Sequence, residues 1–532
     1  MRPGALKIAG AVAGLLLLAL ATSTRSEAAT FRWAFQGDVL SLDPQDRRDT
    51  FSRDFVGNIM EPLVKFNARL EIVPALAERW EVVEPTRWRF HLRHGVRFSN
   101  GDPFTADDVV FTYRRGAAPA SPFRGILRAV KDVQKVDDYT VDFILDRPYP
   151  ILDRDLSNMH IYDRKWVEAN HAEAPVELVE GKAKPSYLAT HIMGTGPFML
   201  ASYEPDARIV LRPNPLWWDK PKHNLTEVIF TPITSSPTRV AALLSGQVDM
   251  IFPVPPQDVA RIEATPGFKI VQGAELRTVF IGMDQGRSEL LESSVKGRNP
   301  FKDIRVRRAI SMAIDVKAIQ RKIMNGQSTP NGSMIAPDIN GFDPATAAPV
   351  PYDVAGARKL MAEAGYGEGF EVTFDCSQDR AVNEAQICTA IAGMLQRIGV
   401  TARLNIQPRA KHFDKILGLR SSFYMMSWAG LPTIDALGTL ATVIHTRQGA
   451  YGTWNLGGYS NPTIDALVGE IETETDGQKR TAEIREALRL HKDDVGDIPI
   501  HTQHSVWAVR DGIRITHTAD DYVRLEDVVV EK

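Results

Sequence analysis

Only two cysteines occur in the 532 residues, Cys376 and Cys388. That excludes a disulfide-framed scaffold or a four-cysteine zinc module. A strong charge of one sign is also missing: the formal net charge is −3, so no basic face is available for nucleic acid. Beyond the N-terminus there is no apolar run of the length that spans a bilayer. Signatures of catalysis are absent too, with no Gly-x-Ser-x-Gly elbow, no His-Glu-x-x-His helix and no phosphate-binding P-loop. Gly365-Tyr366-Gly367-Glu368-Gly369 follows a helical pattern and precedes a strand pattern, the reverse of a nucleotide loop, and is read as a turn. His91 and His94, like His501 and His504, are spaced three apart in strand patterns, so neither pair shares a face. No catalytic residue, cofactor or metal site is expected.

The N-terminus carries the first positive signal. Arg2 and Lys7 precede an uncharged apolar stretch, 8–21, and small residues come after it around Ser26 and Ala28. This is the layout of a signal peptide over residues 1–28, with cleavage after Ala28 and a cut after Ala21 as the second choice. The mature chain is then expected in a bacterial periplasm, with a mild acidic excess. In that oxidising compartment Cys376 and Cys388 are expected to bond. The mature length exceeds what one ordinary core serves, so at least two domains are expected.

Residues 31–36 alternate apolar and polar, as do 87–93, and each reads as a strand. Thr105 with Asp108 forms a capping-box pattern that opens a helix through Tyr113. Asp315 and Asp353 stand as helix N-caps, and Gly365 as a helix stop. Residues 370–374, 381–398 and 400–406 read strand, helix, strand, a βαβ unit with a parallel pair. A helix over about 408–418 leads to a strand at 423–427, and the tail 498–509 reads as a strand returning to the first domain. Ligands of open α/β sheets bind beyond the carboxyl ends of the strands. Here those ends carry Arg380, Arg409 and the stretch Trp428 to Asp435. Trp428 reads equally as a ligand platform or as core packing, and Trp217 and Trp218 read as packing anchors of a loop.

Several segments together resemble the extracytoplasmic solute-binding proteins of family 5, the dipeptide, oligopeptide and nickel-binding group. They are Ser41-Leu42-Asp43-Pro44, Ile59-Met60-Glu61-Pro62-Leu63, Pro74-Ala75-Leu76-Ala77-Glu78-Arg79-Trp80, and the long run Phe90-His91-Leu92-Arg93-His94-Gly95-Val96-Arg97-Phe98-Ser99-Asn100-Gly101-Asp102-Pro103-Phe104-Thr105-Ala106-Asp107-Asp108-Val109. Gly194-Thr195-Gly196-Pro197-Phe198, Arg305-Val306-Arg307-Arg308-Ala309, Gly458-Tyr459-Ser460-Asn461-Pro462 and Ile498-Pro499-Ile500 come next, in order. The resemblance implies an α/β, two-lobed periplasmic binding protein, a hinged trap with an extra α+β subdomain in the first lobe. The first lobe is expected at 29–75, 193–290 and 500–532, its extra subdomain at 76–192, and the second lobe at 291–499. The crossings between lobes are expected near Met283-Asp284 and near His501 to Ser505.

The implied function is the binding component of an ABC importer. It would act as a monomer, capturing a small peptide-like solute and passing it to permease subunits in the inner membrane. The candidate ligand-binding residues are Trp428, Gly430, Thr433, Asp435, Arg380, Arg409, His504 and Asp38. Peptide binders of this kind commonly carry an Asp shortly after the residue matching Trp428, which pairs with the ligand's amino terminus. Here Leu431 stands three residues on, and Asp435 is the nearest acid. Arg380 and Arg409 are candidates for a ligand carboxylate, since guanidinium pairs with carboxylate through two bonds. An opine, an oligosaccharide or a metal chelate is the alternative solute. A secreted hydrolase and a chaperone-like envelope protein are the alternatives from other classes.

Overall fold

The computed structural model describes residues 29–46, 50–175, 177–179, 182–184, 186–378 and 380–531. The expected signal peptide lies outside them. A sheet of 11 strands runs through both lobes. On the first-lobe side stand, in order, Phe198–Glu204, Arg208–Pro213, Leu225–Pro232, Ala29–Phe35 and Met250–Phe252. Ile498–Arg510 and Phe268–Met283 occupy the middle, and Phe423–Ala429, Phe370–Ser377 and Val400–Gln407 the second-lobe side. Ser328–Pro330 pairs with Ile498–Arg510 off this path.

Alternation in the first strand turns Phe31 and Trp33 inward. Trp33 packs 4.7 Å from Phe230 and 5.9 Å from Phe252, making an aromatic core that also holds Trp507. In the second lobe, Phe370–Ser377 and Val400–Gln407 pair in parallel, with the helix Glu384–Leu395 between them in sequence, as the βαβ pattern predicts. The helices Ile304–Ala313, Val316–Lys322 and Val354–Glu363 contribute to the same core. Asp315 and Asp353 cap the last two through the backbone N–H groups of Ala318 and Gly356. Gly365 follows the last helix with a positive φ of 80°, the left-handed turn that a glycine stop supplies.

Cys376 on the strand is joined to Cys388 on the helix by a disulfide. Closing a loop of this length stabilises by about 3 kcal/mol in the chain-entropy model. Replacing both cysteines by serine is expected to lower the melting temperature by several degrees. An unchanged melting curve would show that the second-lobe core holds the strand and helix together unaided.

The extra subdomain is a four-stranded antiparallel sheet in the order Ala77–Glu84, Arg87–Leu92, Thr140–Leu145, Val130–Asp137. Trp88, Phe90 and Leu92 point inward from the strand that alternates most cleanly. The helix Ala106–Ala117 opens with both bonds of the Thr105–Asp108 capping box in place. Trp217 and Trp218 are loop anchors: their indole N–H groups donate to buried Glu61 at 3.4 and 2.8 Å.

The two central strands, of 16 and 13 residues, pair antiparallel over nearly their whole length. Their register runs from Phe268 opposite Arg510 to Ala274 opposite His504, then resumes at Thr278 opposite Thr502. Residues 275–277 on one strand therefore face Gln503 alone on the other, an irregularity at which the ladder is interrupted and the strand bends.

Candidate functional site

The strand Phe423–Ala429 delivers Trp428 and the segment after it to the junction between lobes. Gly430 N–H donates to the Leu276 carbonyl at 2.9 Å, pinning this segment to the interrupted part of the central ladder. A side chain at Gly430 would meet Ile339, whose Cδ1 lies 2.2 Å from the position of a Cβ, so a larger residue there needs Ile339 to move. Leu431, Pro432 and Ile434 then form the second-lobe wall of a cavity. Its other walls come from the first lobe and its subdomain: the helix Thr50–Val56 with the chain beyond it to Phe66, residues 157–160, and the tail 520–526. The room inside it for water-sized molecules is about 80 Å³, and it opens to solvent.

Direct bonds cross from the subdomain to the second lobe beside this cavity. Arg154 Nη1 donates to the carbonyls of Thr433 and Ile434 at 3.3 and 3.2 Å. Arg147 pairs with Glu472 at 2.7 Å, and Arg128 approaches the same carboxylate at 3.6 Å. The Tyr451 hydroxyl donates to it as well, at 2.7 Å. Glu472 is buried and takes these donors from both lobes.

On the other flank of the 428–434 segment lies a cluster at the strand ends. The guanidinium of Arg380 sits over the Phe413 ring, 5.8 Å from its centroid. Phe413 packs edge-on against Trp454 at 5.9 Å, and Trp454 against Trp428 at 5.5 Å. Burial, with the nearby charges of Arg277 and Arg409, pushes the Arg380 guanidinium down to about 10. Its Nε is buried without a hydrogen-bond partner among the described residues. Glu275 answers only in part: its Oε1 accepts from Arg277 Nε at 3.0 Å and from Gln503 Nε2 at 2.7 Å. Burial foremost pushes the Glu275 carboxyl up to about 8. Gln503 Oε1 in turn accepts from Val382 N–H, which ties the Arg380 loop to the centre of the sheet.

The sequence candidates thus divide. Arg380, Trp428, Gly430 and Thr433 flank the junction, and Arg409 stands exposed at the start of the helix Arg409–Leu417, close enough to act on Arg380. His504 lies on a central strand next to Gln503 and is bonded to Thr329 Oγ1 at 2.8 Å; burial foremost holds its imidazole below the usual range. Asp38 is used within the first lobe, accepting from the backbone N–H groups of its neighbour Val39 and of Asp206 in the turn between Phe198–Glu204 and Arg208–Pro213. Asp435 is fully buried and committed inside the second lobe. Its two oxygens take Arg480 at 2.7 and 2.8 Å, Asn340 at 2.8 Å and the Leu437 N–H at 3.0 Å. The cavity residues Arg53, Asp54, His160 and Arg524 had no local sequence signal. The nearest hint is the motif Ile59-Met60-Glu61-Pro62-Leu63, part of which lines the same cavity.

Two α/β lobes sharing one sheet, with a cavity walled by both, define a periplasmic binding-protein fold. The model of the bacterial extracellular solute-binding proteins, family 5 Middle, matches residues 71–450, and the chain belongs to that family. It is similar to a probable deoxycholate-binding periplasmic protein, YgiS, of Escherichia coli (strain K12), at 26% identity over 94% of this chain and 93% of that protein. It is also similar to di/tripeptide-binding protein 1 of Pseudomonas aeruginosa (strain UCBPP-PA14), at 26% identity over 81% and 80%. Among solved structures, HbpA2 from Haemophilus parasuis superposes with a TM-score of 0.80 at 22% identity, covering 95% of this chain and all of that one. The chain is thus an extracytoplasmic solute-binding protein of the kind that serves ABC importers.

Proposed function

We propose that the solute is peptide-like, bound between the lobes in the periplasm and handed to the inner-membrane permease by the closed monomer. The observation that carries this is the cavity walled by Leu431, Pro432 and Ile434 from one lobe and by polar residues of the other. Such a site exists only when the lobes meet, so solute binding and closure are one event. In this reading Arg380, which lies across the 428–434 segment from the cavity and whose buried Nε has no partner among the described residues, takes a carboxylate of a solute that extends past that segment. In this reading the lobes hinge where the central ladder is interrupted, at 275–277 and Gln503; the second point falls within the expected crossing at His501 to Ser505, and the first lies earlier in the chain than the crossing expected near Met283-Asp284. A second reading, an opine or another solute without a free amine, is favoured by Leu431, which puts no acid on the second-lobe wall.

The test is a melting-temperature screen of the mature protein with di- and tripeptides, opines, bile acids, sugars and nickel chelates. A solute at a hundred times its dissociation constant stabilises by about 2.7 kcal/mol. A rise with peptides is the expected outcome. Silence with peptides and a rise with opines would move the assignment to the second reading.

A further inference from the structure

The cavity between the lobes holds an unbalanced charge. Four acids line it, Asp54, Glu61, Asp520 and Glu526, against three bases, Arg53, Lys65 and Arg524. Each base already faces an acid. Lys65 pairs with Glu526 at 3.0 Å, and Arg524 pairs with Asp520 at 2.6 Å. Glu61 is satisfied by neutral donors, Thr195 Oγ1 at 3.0 Å and the two tryptophan N–H groups. Arg53 places both Nε and Nη2 on one oxygen of Asp54, Oδ1, at 3.3 and 3.2 Å. Asp54 Oδ2 takes no hydrogen bond among the described residues. The facing wall of Leu431, Pro432 and Ile434 brings no side-chain donor and no charge. His160, in the same cavity, cannot supply the missing cation, because burial foremost holds its imidazole neutral, down to about 3.

We propose that Asp54, reaching across from the first lobe, is the residue that receives a protonated amine of the solute in this cavity. The inference rests on the peptide-like reading and names the group that the site recognises. An ammonium seated against Oδ2 completes the charge balance and replaces the hydration that closure removes, a charge-assisted bond in a dry site. Arg53 holds only one oxygen of the carboxyl, and Oδ2 is left for the solute. Burial foremost pushes the carboxyl up to about 7, Arg53 opposes and Asp520 adds to the rise. Leu431 then belongs to the same design: the second lobe closes an apolar lid over an acid held by the first, so the amine contact forms in the open lobe and is sealed by closure.

Calorimetric titration of the mature protein with dialanine and trialanine, beside their N-acetyl forms, tests this in the wild type and in Asp54→Asn. The free-amine peptides are expected to bind the wild type at least tenfold more tightly than the acetylated ones, and Asp54→Asn to erase that preference. The ratio is measured within each protein, so a general loss of stability in the variant does not imitate the result. The melting curve of unliganded Asp54→Asn confirms that it is folded. A preference that survives in Asp54→Asn, or equal binding of both peptide forms to the wild type, overturns the role of Asp54 and leaves the peptide-like reading standing. Failure of all four peptides to bind overturns both.

Discussion

Asp435→Ala is expected to cost stability rather than solute affinity alone. The carboxylate is 0% exposed and its partner Arg480 is 4% exposed at the side chain. Removing one member of a buried ion pair leaves the other charge stranded, at a cost of about 3–5 kcal/mol. At roughly 2–4 °C per kcal/mol for a unit of this lobe's size, the melting temperature should fall by about 10 °C. Replacing both residues, Asp435→Leu with Arg480→Met, removes the stranded charge and should recover most of the loss. The pH dependence is set by the same pair. Burial alone would raise the Asp435 carboxyl, but the bonds and charge of Arg480 outweigh it and hold it below the usual carboxylate value. A depressed folded value means that this stabilisation is full above the unfolded value, about 3.9, and is lost as pH falls through the lower folded one. The wild type should therefore lose stability in that acid range more steeply than the double variant. Full stability of Asp435→Ala, with solute binding abolished, would instead return Asp435 to the ligand.

Arg380→Met should do the opposite. Its guanidinium is partly buried, pushed down to about 10 by burial and by Arg277 and Arg409, and is paired with no carboxylate in the described residues. Methionine keeps the packing on Phe413 and removes the charge. The melting temperature of the unliganded variant is expected to stay level or rise. Affinity for carboxylate-bearing solutes should fall by at least about 30-fold, the effect of losing one partner of a desolvated charge pair worth roughly 2 kcal/mol or more. Calorimetry with whichever solute raises the wild-type melting temperature checks this. Undiminished affinity would assign Arg380 to holding the strand-end loop alone.

The contrast between these two residues shows what the sequence could reveal. Both stand at strand ends, where α/β topology puts ligands, and that topology was readable because the βαβ unit and the strand at 423–429 obey local periodicity. Nothing local separates Arg380, which lacks a buried acid partner, from Asp435, whose partner Arg480 lies 45 residues on. Two of the four subdomain strands, Arg87–Leu92 and Thr140–Leu145, were legible too; Ala77–Glu84 and Val130–Asp137 were not, because both are exposed along most of their length and lack a clean alternation. The helices Ser236–Leu244 and Pro256–Glu263 were not, because each carries a proline in its first turn, in a stretch whose proline and glycine content suggests loops. The cavity was illegible for a further reason. Asp54, His160 and Arg524 are brought together by long-range pairing of the chain's two ends, and no spacing rule encodes that.

On the hinge proposed above, the interrupted ladder at residues 275–277 also sets the mechanics of opening. A sheet shared by both lobes would then behave like a folded card: stiff along each panel, compliant across the band where three residues oppose Gln503 and where Ile500 stands between the partners of Val279 and Phe280. Rotation about that band would leave the rest of the ladder intact, which is what the proposed hinge requires. Glu275, Arg277 and Gln503 sit on the crease itself. Their bonds act as a spring whose stiffness determines how much of the solute's binding energy is spent on closing the card and how much remains to hold it shut.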